Sequence, residues 1–215
     1  METQSPDCRR LASDWPTVER LTCFDVAYDA AWLQEKAASE PGLSFTATRP
    51  EGKYDLVLML DVLEHAEDDK ATLADISMNF LQPRGHILLS VPAYSALYSS
   101  HDDKLGHKRR YAPARLRAMV RDAGLEIVDH GELFASLLLP RTFAKLSEVV
   151  LGKVPSGAPT TGARIETALG TWHHGQIMTS LVSTALSLDA ACSRLASRLR
   201  LPFAGLSTWI LAQCP

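Results

Sequence analysis

Two stretches and one isolated acid in this chain have the residue types and spacing to do chemistry. Asp61-Val62-Leu63-Glu64-His65 sets two carboxylates three positions apart with an imidazole beside the second. That pattern serves acid–base work and fits the reciprocal capping of a helix start equally well. His101-Asp102-Asp103-Lys104-Leu105-Gly106-His107-Lys108-Arg109-Arg110-Tyr111 gathers imidazoles that titrate near neutral pH and arginines that grip a carboxylate or phosphate bidentately. The same groups also suit a solvated loop anchored onto a following helix. Asp25 stands alone near the end of a β-prone run. A metal at His101, Asp102 and His107 lacks a strong ligand spacing, so no metal site is expected.

These residues need a scaffold, and Tyr54-Asp55-Leu56-Val57-Leu58-Met59-Leu60 begins it as a strand suited to burial on both faces, ending at Asp61. From Asp68 a helical period places Leu73, Ile76 and Phe80 on one face, and Gln82-Pro83-Arg84-Gly85 turns the chain into a second strand, His86-Ile87-Leu88-Leu89-Ser90-Val91. One helix between two such strands forces them parallel. The expected class is therefore α/β, an open, mostly parallel sheet with helices on both faces. Ligands of such sheets bind at the carboxyl ends of strands, where Asp61 and a long polar loop over residues 93–111 would lie.

Upstream, Leu21-Thr22-Cys23-Phe24-Asp25-Val26 reads as a strand, residues 30–39 as a helix ended by Pro41-Gly42, and Leu43-Ser44-Phe45-Thr46-Ala47-Thr48 as another strand. Downstream, Pro113 fits a helix start and Gly124 its left-handed cap, followed by a strand at Leu125-Glu126-Ile127-Val128. A helical insertion at 133–203 comes next, with an apolar helix over 133–151, a Gly/Pro/Thr linker at 152–162, His173-His174 in a further linker, and a long helix ending near Arg200. Ile177, Leu181, Ala185, Leu188, Cys192, Leu195 and Leu199 form a one-sided stripe on that helix, which suits packing on the sheet or the neighbouring helix, a homo-oligomer face or a membrane surface. Gly205-Leu206-Ser207-Thr208-Trp209-Ile210-Leu211-Ala212 reads as an antiparallel edge strand.

The 215 residues, with 46% hydrophobic content, suit one domain over 1–215, and a net charge of -3 gives no general affinity for nucleic acid. Lys104, Lys108, Arg109 and Arg110 lack interleaved aromatics, so no nucleic-acid partner is expected. No run is long enough for a transmembrane segment, and the amino terminus lacks the pattern of a secretory signal. Four cysteines without short paired spacing suggest reduced thiols and a cytoplasmic setting.

Tyr54-Asp55-Leu56-Val57, Asp61-Val62-Leu63-Glu64-His65, Leu81-Gln82-Pro83-Arg84-Gly85-His86 and Ser90-Val91-Pro92-Ala93 together resemble a class I S-adenosylmethionine-dependent methyltransferase with a Rossmann-like fold. His107-Lys108-Arg109-Arg110-Tyr111 is similar to the His-x-Arg-Arg-Tyr segment of one subgroup. The resemblance implies S-adenosylmethionine as cofactor. It implies cofactor contacts at Asp25 and Val26 by the ribose, at Thr48 near the adenine (where many members carry an acid), and at Leu60, Asp61 and Val62 by the methionine part. Methyl transfer to a small-molecule acceptor, bulky or lipid-like if the apolar insertion forms a lid, would then use His101, Asp102 and His107 as catalytic residues and His65, Arg109, Arg110 and Tyr111 as acceptor-binding residues. The family's first strand and Gly-x-Gly loop have no counterpart here, since no glycine precedes Gly42. Either a substitute wall holds the cofactor or the chain is a non-catalytic binding or subunit-interaction module.

Overall fold

A computed structural model describes residues 11, 13–40, 43–150, 175–199 and 203–215. The expected break at Pro41-Gly42, the linker at 152–162, His173-His174 and the helix end at Arg200 lie outside the described residues. The chain divides into two compact units, Met1–Gly52 and Lys53–Pro215.

In the first unit, β1 (Leu21–Phe24) and β2 (Leu43–Thr46) pair in parallel, with α1 (Ala30–Ser39) as their crossover. The Asp29 carboxylate accepts from the Trp32 N–H at 2.7 Å and so caps α1. Trp32 stacks on Tyr28 at 4.2 Å and meets Phe45 of β2 edge-on at 5.4 Å, an aromatic seam between helix and strand. Among the described residues no strand precedes β1. Cys23 is disulfide-bonded, which corrects the expectation of a reduced thiol at that position and removes the cysteine argument for a reducing compartment, while Cys192 and Cys214 are free. Short-range spacing cannot reveal a bridge that folding makes.

The second unit holds β3 (Tyr54–Leu60), α2 (Asp69–Asn79), β4 (Leu81–Pro92), α3 (Ser100–Leu105), α4 (Pro113–Asp122), β5 (Glu126–Leu133), α5 (Ala135–Val150), α6 (Gly175–Leu199) and β6 (Ser207–Gln213). Its four strands run in the order β3-β4-β6-β5. β3 and β4 are parallel, β6 is antiparallel to both of its neighbours, and so β6 alone runs against the rest. The α/β class and the antiparallel last strand are as expected, but β6 lies inside the sheet rather than at its edge. Thr208, Ile210 and Ala212 are buried there, and both of its ladders are paired.

The core gathers Ile87, Leu89 and Val91 of β4 with Leu73 of α2 and Leu116 and Val120 of α4. The alternate β4 residues Leu88 and Ser90 are only half-buried. β3 departs further from the expected two-sided burial: Met59 is its one buried residue, and Leu56 and Leu60 are 41% and 52% exposed. Among the described residues β3 has a hydrogen-bonded neighbour on one side only. The stripe on α6 is also reversed from packing on the sheet. Leu188, Leu195 and Leu199 are exposed, while Asp189, Ser193 and Ala196 face inward, with Asp189 accepting from the N–H and hydroxyl of Ser136 and Ser193 bonded to the Glu132 carbonyl. Backbone groups at the β5–α5 junction need partners, and polar side chains on α6 supply them.

Gly85 lies at the register shift between the Tyr54–Leu81 and Leu56–His86 pairs of β3 and β4. A Cβ there would lie 2.9 Å from the carbonyl oxygens of both Gln82 and Tyr54. Gly85→Ala should therefore lower stability by about 1–3 kcal/mol, as read from the urea midpoint at unchanged slope.

Candidate active site

β3 ends in an exposed rim. Asp61 follows it with φ at 52°, a left-handed conformation that costs a non-glycine residue on the order of 1 kcal/mol. Its N–H donates to the Ser90 carbonyl at 3.0 Å and its carboxylate accepts from the Ser90 hydroxyl at 3.2 Å. This fixes the turn to β4, so Asp61 and Glu64 form no capping box. A 3-10 turn, Leu63–His65, follows, and Asp68 caps α2 instead. Leu60 and Val62 flank Asp61 with about half of their surfaces open.

The expected polar loop over 93–111 is ordered. Ser99 and Asp102 make a reciprocal capping box for α3, and Gly106 ends it at φ 74°. Asp102 is completely buried. Its carboxylate accepts from the Ser99 N–H at 2.9 Å, His107 Nδ1 at 3.1 Å, Arg110 Nε at 2.7 Å and Arg141 of α5 at 2.6 Å. Burial alone would raise its pKa, but the His107 hydrogen bond and the two guanidiniums prevail and hold it well below the usual carboxylate range. Asp102 therefore reaches no substrate; it orients others. Nothing in the local spacing singles out Arg141; the signal that points to it is that it is the first charge in the apolar run after Leu133.

Arg110 and Tyr111 depart from their expected acceptor-binding roles for the same reason, which is burial. Arg110 is spent on Asp102 and on the Ala93 carbonyl at 3.2 Å. Tyr111, with no exposed surface, sets its hydroxyl 3.1 Å from Asp69 and 3.2 Å from the Leu63 carbonyl. Arg109 is partly open and pairs with Asp69 at 3.2 Å while donating to the Glu67 carbonyl at 3.0 Å. This segment clamps the loop to the start of α2.

Folding brings His65 and His107 together, ring centroids 4.9 Å apart, beside the fully buried Glu64. Burial pushes Glu64 up to about 8, with Arg110 only partly offsetting it and Asp61 and Asp102 adding to it. Burial and His107 lower His65. His101 is exposed at the rim of α3, and partial burial and Arg141 lower its pKa. In the first unit, Asp25 accepts from the Ala27 N–H at 2.9 Å, Val26 is 78% exposed, and exposed Thr48 bonds Thr46 within its own turn.

Two stability effects follow from these charges. Asp102→Ala strands buried Arg110 and should cost about 3–5 kcal/mol in chemical denaturation. Folded Glu64 keeps its proton up to about pH 8, whereas the unfolded chain gives it up above its ordinary value of 4.5. Stability should thus fall as pH rises between those values, by up to about 1.4 kcal/mol per pH unit, and Glu64→Gln in EDTA buffer should flatten that slope.

A family model described as a methyltransferase domain matches residues 6–130. No curated protein sequence matches the chain. Among solved structures, the fold is similar to an S-adenosylmethionine-dependent methyltransferase from Mesorhizobium loti, at 13% identity and TM-score 0.54 over 97% of this chain and 85% of that one. It is similar to the [4+2]-cyclase SpnF, at 15% identity and TM-score 0.54 over 98% and 70%. It also resembles Haemonchus contortus phosphoethanolamine N-methyltransferase 2 in complex with S-adenosyl-L-methionine, at 13% identity and TM-score 0.52 over 98% of this chain and 46% of that one. The family model spans more than half of the sequence, and the chain belongs to the class I S-adenosylmethionine-dependent methyltransferases.

Proposed function

We propose that this chain transfers a methyl group from S-adenosylmethionine to a small-molecule acceptor. The observation that carries the reading is the end of β3, where Leu60, Asp61 and Val62 leave the sheet exposed, with Asp61 pinned in a left-handed turn. Strain of this kind is retained where the surroundings over-determine it, and it clusters at binding sites. The donor set fits the cofactor in part. In the second unit Asp61 is an exposed carboxylate at the carboxyl end of β3; in the first unit, taken by itself, Asp25 is an exposed carboxylate after β1 with acceptor oxygens suited to a ribose diol. No glycine before Gly42 provides the close backbone approach of the family's loop, and Thr48 offers a hydroxyl in place of an acid near the adenine.

When bound, the cofactor supplies an electrophilic methyl carbon on a sulfonium. The protein's share is then to align the acceptor and exclude water. His107 suits acceptor contact best. Its Nδ1–H is committed to Asp102, which leaves Nε2 unprotonated in the neutral ring. His101 and partly open Arg109 flank the same loop, and no helix among the described residues is long and apolar enough to cross a membrane.

A second reading, a binding module without catalysis, is favoured by the lack of glycine in residues 1–41 and by the one-sided pairing of β3 among the described residues. Calorimetric titration with S-adenosylmethionine and its demethylated product separates the two. Methyl transfer predicts saturable binding that weakens roughly tenfold or more in Asp25→Ala, and no affinity for either compound would leave only the module. His107→Ala should lower turnover by about 10²-fold or more with a smaller effect on melting temperature, while equal losses would make His107 structural.

A further inference from the structure

Glu64 is the least explained residue in the fold. It has no exposed surface, and neither of its carboxylate oxygens meets a hydrogen-bond partner. Buried polar groups are nearly always satisfied, and leaving a carboxyl group bare costs several kcal/mol, so an orphan of this kind points to a missing partner. Glu64 Oε1 lies 3.8 Å from His107 Nε2, too far for a hydrogen bond. One ligand atom from each of Glu64, His65 and His107 lies within 4.8 Å of the other two.

The two imidazoles are prepared in the same way. His65 Nδ1 sits 3.1 Å from the Gly106 carbonyl, which can only accept, so Nδ1 carries the proton. His107 Nδ1 sits 3.1 Å from Asp102, whose carboxylate faces the guanidiniums of Arg110 and Arg141 and likewise accepts. In its neutral form each ring therefore presents an unprotonated Nε2. An acceptor on the far nitrogen is the arrangement that orients metal-ligating histidines and raises their basicity. We propose that Glu64, His65 and His107 bind a divalent first-row transition cation.

Two imidazoles and one carboxylate suit zinc or iron. Ligand atoms around a tetrahedral Zn²⁺ stand about 3.3 Å apart, given bonds of about 2.0–2.1 Å. The 3.8 Å separation closes to that with small rotations of the side chains. Glu64 is buried, His107 half-buried and His65 exposed, so the site opens at one side, where a water or an acceptor oxygen would complete the coordination. A cation there would take the His107 Nε2 lone pair, so that the cation, with His107 as its ligand, would meet the acceptor oxygen and lower its pKa. Cation binding itself does not rest on the methyltransferase reading.

The test uses the full chain stripped with EDTA and titrated with ZnCl₂ by calorimetry, and separately with CoCl₂ by visible absorbance. We expect one Zn²⁺ per chain and intense cobalt bands of low coordination number. Glu64→Gln and His65→Ala should each weaken zinc binding at least tenfold, while Cys192→Ser and Cys214→Ser leave it unchanged. His65 is exposed, so its variant serves even if Glu64→Gln does not fold. The proposal is overturned by no saturable binding, by equal affinity in wild type and both site variants, or by affinity that disappears with either cysteine. Zinc binding in a chain without affinity for S-adenosylmethionine would uphold the site and reject the methyltransferase reading.

Discussion

The buried carboxylate of Asp102 holds the candidate site together. Removing a charge from water costs several kcal/mol, and the cost is offset only when the ion is paired and its lone pairs are filled. Here an N–H at the start of α3, the ring of His107 and guanidiniums from two separate segments fill them. Each of those donors is thereby fixed. The loop after β4 is held to the sheet, α5 is tied to it through Arg141, and His107 is locked into one tautomer. Satisfying one charge in this way gives an irregular segment of chain the rigidity of an element.

The surrounding scaffold sets where chemistry happens without choosing the reaction. A cyclase and methyltransferases both share this fold at low identity, so the fold supplies strand ends and the loops supply the chemistry. In this chain the strand ends carry exposed carboxylates, and the segments after β3 and β4 contribute the imidazoles. α5 and α6 turn leucines and a phenylalanine outward and polar groups inward, because the junction they cover is backbone that needs hydrogen bonds.

Much of the scaffold could be read from the chain. The parallel β3-α2-β4 unit follows from two apolar runs flanking one helical period, and Pro113 and Gly124 mark the bounds of α4. The site was legible only as a set of residue types. His101, Asp102, His107, Arg109, Arg110 and Tyr111 were visible as polar groups, but nothing in their order distinguished Asp102, Arg110 and Tyr111, which are buried, from His101, which is not. Glu64 read equally well as a cap, and its isolation in the core left no trace in the sequence.

Local pattern determined the elements, their order and the parallel crossover, because propensity and hydrophobic period act over a few neighbouring residues. Only the tertiary structure decided that β6 enters the sheet between β4 and β5, that α6 turns its stripe outward, and that Glu64 meets His107 across a separation of 43 positions. Burial and pairing are settled by partners distant in sequence, and a charge becomes a hub or an orphan according to which of them folding delivers.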